Sequence, residues 1–143
     1  MERVYTISNV YTLAANASMM FAGTPTNPTK LNPLNIISDS TPIKIELFEA
    51  PTITTPGTAV TPTATNRVST TASTTVVQSA PTVSANGTPI FTSLANGSKN
   101  SGGLLNSEYN FNLKPGVTYL YKITYLGTGT ATLSADLVWA EYF

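Results

Sequence analysis

The chain has 143 residues, a length that suits one domain able to bury a core of its own. Charged residues make up 10% of it, against about 25% in an ordinary soluble domain, and seven bases balance seven acids. That balance excludes an electrostatic funnel for nucleic acid or for an anionic membrane, and so weakly charged a surface favours association.

At the N-terminus, Met1-Glu-Arg-Val-Tyr-Thr-Ile alternates like a strand and lacks the apolar block of a signal peptide. Synthesis in a cytoplasm without standard export is therefore expected. No apolar run approaches the roughly 18–20 residues that span a bilayer. Val4 to Tyr11 has the residues of a strand, and Ala17 to Ala22 is a short apolar run that reads as a buried strand. Gly23 to Pro33 carries Pro25, Pro28 and Pro33 among Thr and Asn, a composition that predicts a loop or a lashing segment. Asn35 to Ser38 reads as a short strand. Ile43, Ile45 and Leu47 alternate with Lys44 and Glu46, which predicts a half-buried strand.

The middle of the chain holds an echo. Ala50-Pro-Thr-Ile-Thr-Thr-Pro-Gly-Thr-Ala-Val60 matches Ala80-Pro-Thr-Val-Ser-Ala-Asn-Gly-Thr-Pro-Ile90. Chance similarity in a Thr-rich chain is one reading. The other is a pair of related hairpins, turned by Pro56-Gly57 (type II) and Asn86-Gly87 (type I′). Between the copies, Thr61 to Thr75 reads as a loop around Asn66-Arg67, and Thr74 to Ser79 as a strand. Asn96 to Gly103 reads as an exposed loop.

The C-terminal stretch has the cleanest alternation. Tyr109, Phe111 and Leu113 predict one strand, Lys114-Pro115-Gly116 a turn, and Tyr119, Tyr121, Ile123 and Tyr125 a second strand. Leu133, Leu137 and Trp139 share a face of a third, joined through Leu126-Gly-Thr-Gly-Thr130. A three-stranded antiparallel meander is the reading, with Trp139 buried against the tyrosine strand. No segment shows a helical period. Eight to ten short strands in one domain predict an antiparallel β-sandwich. A jelly roll is preferred over an immunoglobulin-like topology, because the single Trp is terminal. The expected layout is a partly extended arm and loops over 1–34 and the main sandwich over 35–143, as one domain of 1–143.

Little in the sequence points to chemistry. Cysteine and histidine are absent, which removes disulfides, thiolate metal sites and the commonest general base. The carboxylate pairs Glu46/Glu49 and Asp136/Glu141, and the isolated Glu108, read as surface charges. No nucleophile elbow, P-loop or dinucleotide fingerprint occurs. Asp39-Ser-Thr and Asn96-Gly-Ser suit turns better than Ca²⁺ ligation. The sequons at Asn16, Asn86 and Asn96 arise readily in a chain rich in Ser and Thr. Tyr119, Tyr121 and Tyr125 could stack on a sugar, but their alternation favours a buried sheet face. No catalytic residue, cofactor or metal is expected.

One family resemblance emerges. The runs Ile45-Glu-Leu-Phe-Glu-Ala-Pro-Thr, Gly57-Thr58, Asn66-Arg67, Thr74-Thr-Val-Val, Pro81-Thr-Val and Gly87-Thr88 form one half of it. Leu113-Lys-Pro-Gly, Tyr119-Leu, Ile123-Thr, Leu137 and Trp139-Ala-Glu141 form the other. Together, over residues 43–143, they resemble head decoration (cement) proteins of tailed bacteriophages. The resemblance implies a jelly-roll module on the outer capsid surface that binds the major capsid protein and staples neighbouring subunits. The chain departs from that pattern at the Asn-Arg segment, where Arg67 stands alone.

On this reading the expected partner is the major capsid protein. The chain would act as a homo-oligomer (dimer or trimer) or be held by the lattice, with no nucleic acid and no membrane. It would be made in the host bacterial cytoplasm and end in the virion. The candidate contacts are Arg3 and Tyr5 in the N-terminal arm, Pro25 and Pro28 in the Pro-rich stretch, and Arg67 as a polar anchor. A different class remains open: a β-module of a tail fibre or adhesin that binds a host-surface glycan. Such a module would be expected within a longer, repetitive chain.

Overall fold

The computed structural model describes residues 1–33, 35–96, 103–106 and 110–143. Its elements in chain order are β1 (Glu2–Ala14), β2 (Ser18–Thr24), β3 (Thr29–Asn32), β4 (Asn35–Ser38) and β5 (Ile43–Glu49). There follow β6 (Thr52–Thr55), β7 (Thr58–Val60), β8 (Thr63–Ala64), β9 (Val76–Ser79) and β10 (Thr82–Ala85). The last five are β11 (Thr88–Ala95), β12 (Gly103–Asn106), β13 (Phe111–Leu113), β14 (Tyr119–Tyr125) and β15 (Thr130–Tyr142). The chain is all-β, as the Thr-rich, alternating sequence predicts, and every ladder among the described residues is antiparallel.

Two sheets enclose the core. The first runs β12-β4-β15-β1-β8, with β3 joining β15 to β13. The second runs β11-β5-β14-β2-β9-β7. Alternate residues of β15, from Ala131 to Trp139, turn inward beside Tyr5, Ile7 and Leu13 of β1. Ile43, Ile45, Leu47, Phe21, Tyr121 and Ile123 of the second sheet belong to the same core. Burying an aliphatic or aromatic side chain of this size contributes about 1.5–3 kcal/mol.

The C-terminal meander is not formed. β14 pairs with β5 and β2, β15 with β1, β3 and β4, and β13 with β3. Leu126–Thr130 therefore carries the chain from one sheet to the other. Alternation told which face of each strand is apolar; two apolar faces can meet across a core as well as side by side in one sheet. The strand face of Tyr119, Tyr121 and Tyr125 is buried as expected, at 3–4% exposure, which removes it as a sugar platform. Lys114-Pro115-Gly116 is a turn, with φ 77° at Gly116 and Val117 N donating to Lys114 O at 3.4 Å. The readings of Tyr109 and of most of the Asn96–Gly103 loop lie outside the described residues.

The N-terminal arm is corrected too. Glu2–Ala14 pairs with β15 over its whole length, from Glu2↔Tyr142 to Ala14↔Thr130, and with β8 on its other side. The loose alternation of this segment concealed an interior strand. The Pro-rich stretch likewise contains β3, paired on both edges; its prolines Pro25, Pro28 and Pro33 all lie outside Thr29–Asn32, so none interrupts the ladder.

The echo at residues 50–60 and 80–90 is structural, but its copies are not hairpins. Each pairs with the other. Thr88 opposes Glu49 and Thr58 opposes Ser79, the same register displaced by 30 residues in each copy. Ala50 and Ala80 both take the left-handed conformation, with φ 56° and 52°. Ala50 N donates to Thr118 O, and Ala80 N to Met20 O, both at 2.9 Å. Tyr119 opposes Glu49 as Phe21 opposes Ser79. The central β14–β2 ladder maps onto itself, since Tyr119 opposes Gly23 and Tyr121 opposes Phe21. The second sheet thus has a pseudo-two-fold axis through Leu120 and Ala22. The expected turn types are absent because Gly57 and Asn86 lack positive φ.

On the same axis β6 and β10 form a separate two-stranded ribbon, with Val83 opposite Ile53. Leu120, Ala22 and Phe48 are buried yet lie outside the main core cluster. They belong to the face of the second sheet turned from the core, and the ribbon leaves the sheet from β5 and β9 on either side of this point.

Candidate functional site

Three places in this framework concentrate polar groups or exposed surface. The first is a buried carboxylate. Glu141 follows Trp139 by two residues, so it points to the same inner face, and none of it is exposed. Its carboxylate accepts Ser73 Oγ, Thr74 N (3.0 Å), Thr74 Oγ1 (2.9 Å), Thr75 N (3.1 Å) and Trp139 Nε1 (3.1 Å). Burial alone would raise its pKa; these donors overcome that and hold it at about 2. The group is a clasp that ties segment 73–75 to the end of β15.

Thr75, 9% exposed, borders an apolar cavity of about 50 Å³ between the sheets, beside Trp139, Tyr119 and Tyr121. Its Oγ1 has no partner in the structure.

The second place is the long side of the sandwich between β1 and β7. An open groove of about 460 Å³ is bordered there by Thr6, Ser8, Asn9, Tyr11, Thr61 and Thr63. Tyr11 meets Phe21 edge-on, ring centres 6.0 Å apart, and partial burial raises the pKa of its hydroxyl. The third place is the ribbon itself. Thr52, Thr54, Thr82 and Ser84 are exposed, whereas Ile53 and Val83 are half-buried.

The other carboxylates are engaged singly. Glu49 accepts Lys114 Nζ at 3.0 Å and Tyr119 OH at 3.1 Å, and those bonds lower its pKa. Glu46 pairs with Lys44 at 3.4 Å. Asp136 accepts Ser8 Oγ on the surface, far in role from buried Glu141. Among the described residues no three Asp or Glu side chains gather as a metal site.

Of the sequence-derived contact residues, Arg3 and Tyr5 border a groove of about 440 Å³ together with Asn66, the neighbour of Arg67. Arg3 places its guanidinium 4.7 Å from the Phe143 ring centre. Tyr5 is 1% exposed; its hydroxyl donates to Thr71 O (3.3 Å) and Ala72 O (3.2 Å), and its ring lies 6.3 Å from Trp139. Tyr5 is a core residue and is withdrawn as an outer contact. Pro25 is also buried and its carbonyl accepts Gly116 N at 2.7 Å, so it too is withdrawn. Pro28 is exposed, and its carbonyl accepts Tyr142 N at 3.0 Å. Arg67 is exposed in the segment between β8 and β9.

The reading of Glu141 as a surface charge is corrected, since it is fully buried; the signal was a charge in phase with Leu133, Leu137 and Trp139. Sequence reasoning also missed the ribbon, whose signal was the echo. Comparison with protein-family models, with curated proteins and with solved structures finds no match to this chain.

Proposed function

We propose that this chain is a structural virion protein of a tailed bacteriophage, a decoration protein on the outer capsid surface. In this reading it binds the major capsid protein and staples neighbouring subunits. The jelly-roll kinship suggested by residues 43–143 belongs to the same reading, as does assembly in the host cytoplasm. Copies are held in register by the lattice, whether or not they also touch as dimers or trimers. No catalytic step and no cofactor is involved.

The observation that carries the reading is the ribbon: an uncharged two-stranded surface rich in exposed Thr and Ser, joined to a two-sheet antiparallel body. A clamp needs such a body to transmit load and such a surface to meet the shell. Its energy comes from modest contact area repeated over many copies, with backbone and hydroxyl hydrogen bonds and few charges.

The groove bordered by Tyr11, Thr61 and Thr63 favours one other reading, a tail-fibre module that binds a host glycan. Its volume falls within the range of about 300–1,000 Å³ typical of ligand sites. Antibody labelling of intact virions in the electron microscope separates the two. Label over the head supports decoration; label confined to the tail rejects it in favour of the glycan module.

A further inference from the structure

We infer that the groove between β1 and β7 is a binding site for an uncharged oligosaccharide that carries an acetamido or a deoxy methyl group. This rests on the glycan reading of that groove and holds wherever in the virion the chain sits. The site follows from how two strands end. β8 pairs with β1 only at Tyr5 and Thr6, so the edge of β1 beyond Thr6 has no strand beside it. β7 ends at Val60 and pairs with β9, so the second sheet does not close over that edge. Asn9 and Tyr11 are in phase with buried Ile7 and Leu13, yet Asn9 is exposed and Tyr11 only half-buried. Two hollows of about 460 and 390 Å³ meet along this side, since Tyr11, Phe21 and Ser79 border both. No charged residue borders either.

The two ends of the groove differ. At one, the hydroxyls of Tyr11, Thr61 and Thr63 and the amide N–H₂ of Asn9 have no hydrogen-bond partner among the described residues. Hydroxyls turned elsewhere are engaged: Thr65 Oγ1 donates to Val4 O at 3.2 Å, and Ser8 Oγ donates to Asp136. At the other end Met19, packed against the core, and Pro81 form an apolar wall. Hydroxyls that both donate and accept suit the hydroxyls of a sugar. The apolar wall offers a sugar hydroxyl no partner and suits a methyl group. A sialyl or uronyl carboxylate would lose water here and meet no cation. An added peptide strand fits less well, because the open edge of β1 is already capped where Val10 N donates to Asn9 Oδ1 at 2.8 Å.

The test presents the full chain to an array of plain-hexose, N-acetylated, deoxy and acidic oligosaccharides. The best binder is then titrated calorimetrically against variants. Asn9→Ala and Thr61→Val each remove one free polar group; Thr132→Val, on the exposed face of β15, is the control. Thermal melting confirms that each variant is folded, and Asn9→Ser and Thr61→Ala replace any that is not. We expect a neutral N-acetylated or deoxy saccharide to bind, about fivefold more weakly to each groove variant and unchanged to Thr132→Val. Preference for acidic or plain-hexose saccharides would overturn the inference and leave the glycan reading intact. Neutral-saccharide binding that neither groove variant weakens would do the same. No binding to any saccharide would overturn the glycan reading and the inference with it, as would binding of an uncharged Thr-Ser octapeptide in place of every saccharide.

Discussion

Glu141 shows how much one residue can hold. It brings a charge into the inner face of β15, and five donors from three consecutive residues and Trp139 compensate the desolvation. Glu141→Gln keeps the shape but turns an amide N–H₂ toward donors, and is expected to cost about 1.5–3 kcal/mol in urea unfolding. The pH dependence follows from the lowered pKa. The contribution of Glu141 is fully present above the ordinary value of 4.5 and is lost as pH falls toward its folded value of about 2. The wild-type chain should lose stability over that interval, and Glu141→Gln should lose less of it. Equal slopes for both would contradict the assignment. Trp139 is 4% exposed and donates to the same carboxylate. Trp139→Ala is expected to cost about 3–5 kcal/mol, and native fluorescence should be blue-shifted relative to free Trp.

At the scale of the element, the paired crossing of β5–β6–β7 with β9–β10–β11 turns on two glycines. A Cβ at Gly57 would lie 1.8 Å from Ser79 O, and one at Gly87 2.4 Å from Glu49 O. Both neighbours are backbone, so neither can move aside alone. Gly57→Ala and Gly87→Ala should each destabilise by more than about 2 kcal/mol, with Gly87→Ala also strained by its φ of 92°. At Gly116, φ is 77° but the added Cβ would meet nothing, so Gly116→Ala should cost only about 1 kcal/mol. Denaturant midpoints for the three variants give the comparison; a Gly57→Ala chain as stable as wild type would remove the close crossing.

These elements also show what the sequence could reveal. The strands β5, β14 and β15 were legible because the inward face of each repeats an apolar residue every second position, although Phe48, Leu120 and Ala140 are buried out of that phase. Their partners were not, because alternation assigns a face and says nothing about which strand lies alongside. Glycine spacing located the two crossings but suggested hairpins, since a turn and a close backbone approach both call for Gly. β1 was underestimated because Ser8, Asn9 and Val10 are exposed in mid-strand and break the apolar rhythm. At the ribbon, the residues were recognised as a repeat, but their exposure follows only from the pairing of the two copies.

For the whole molecule, the body is built to be stiff. The thirteen-residue strands β1 and β15 pair end to end, and the second sheet is six strands wide. Removing residues 1–11 would remove most of an interior strand, so that deletion is expected to unfold the chain and not merely to loosen its attachment. Circular dichroism of the truncated chain checks this; retained native β signal would restore the arm. Apolar side chains also stay exposed in places, among them Val10, Ile37, Val68 and Leu94. Scattered residues of this kind are common on monomers and do not by themselves define an interface.

The central claim is attachment to a capsid by an uncharged surface. Co-sedimentation of the purified full chain with shells lacking it, across salt from about 0.1 M to about 1 M, tests that claim most directly. The account predicts saturable binding that changes little over this range, because no ion pair in the ribbon is there to be screened. No binding at any salt, or binding that collapses as salt rises, would contradict it.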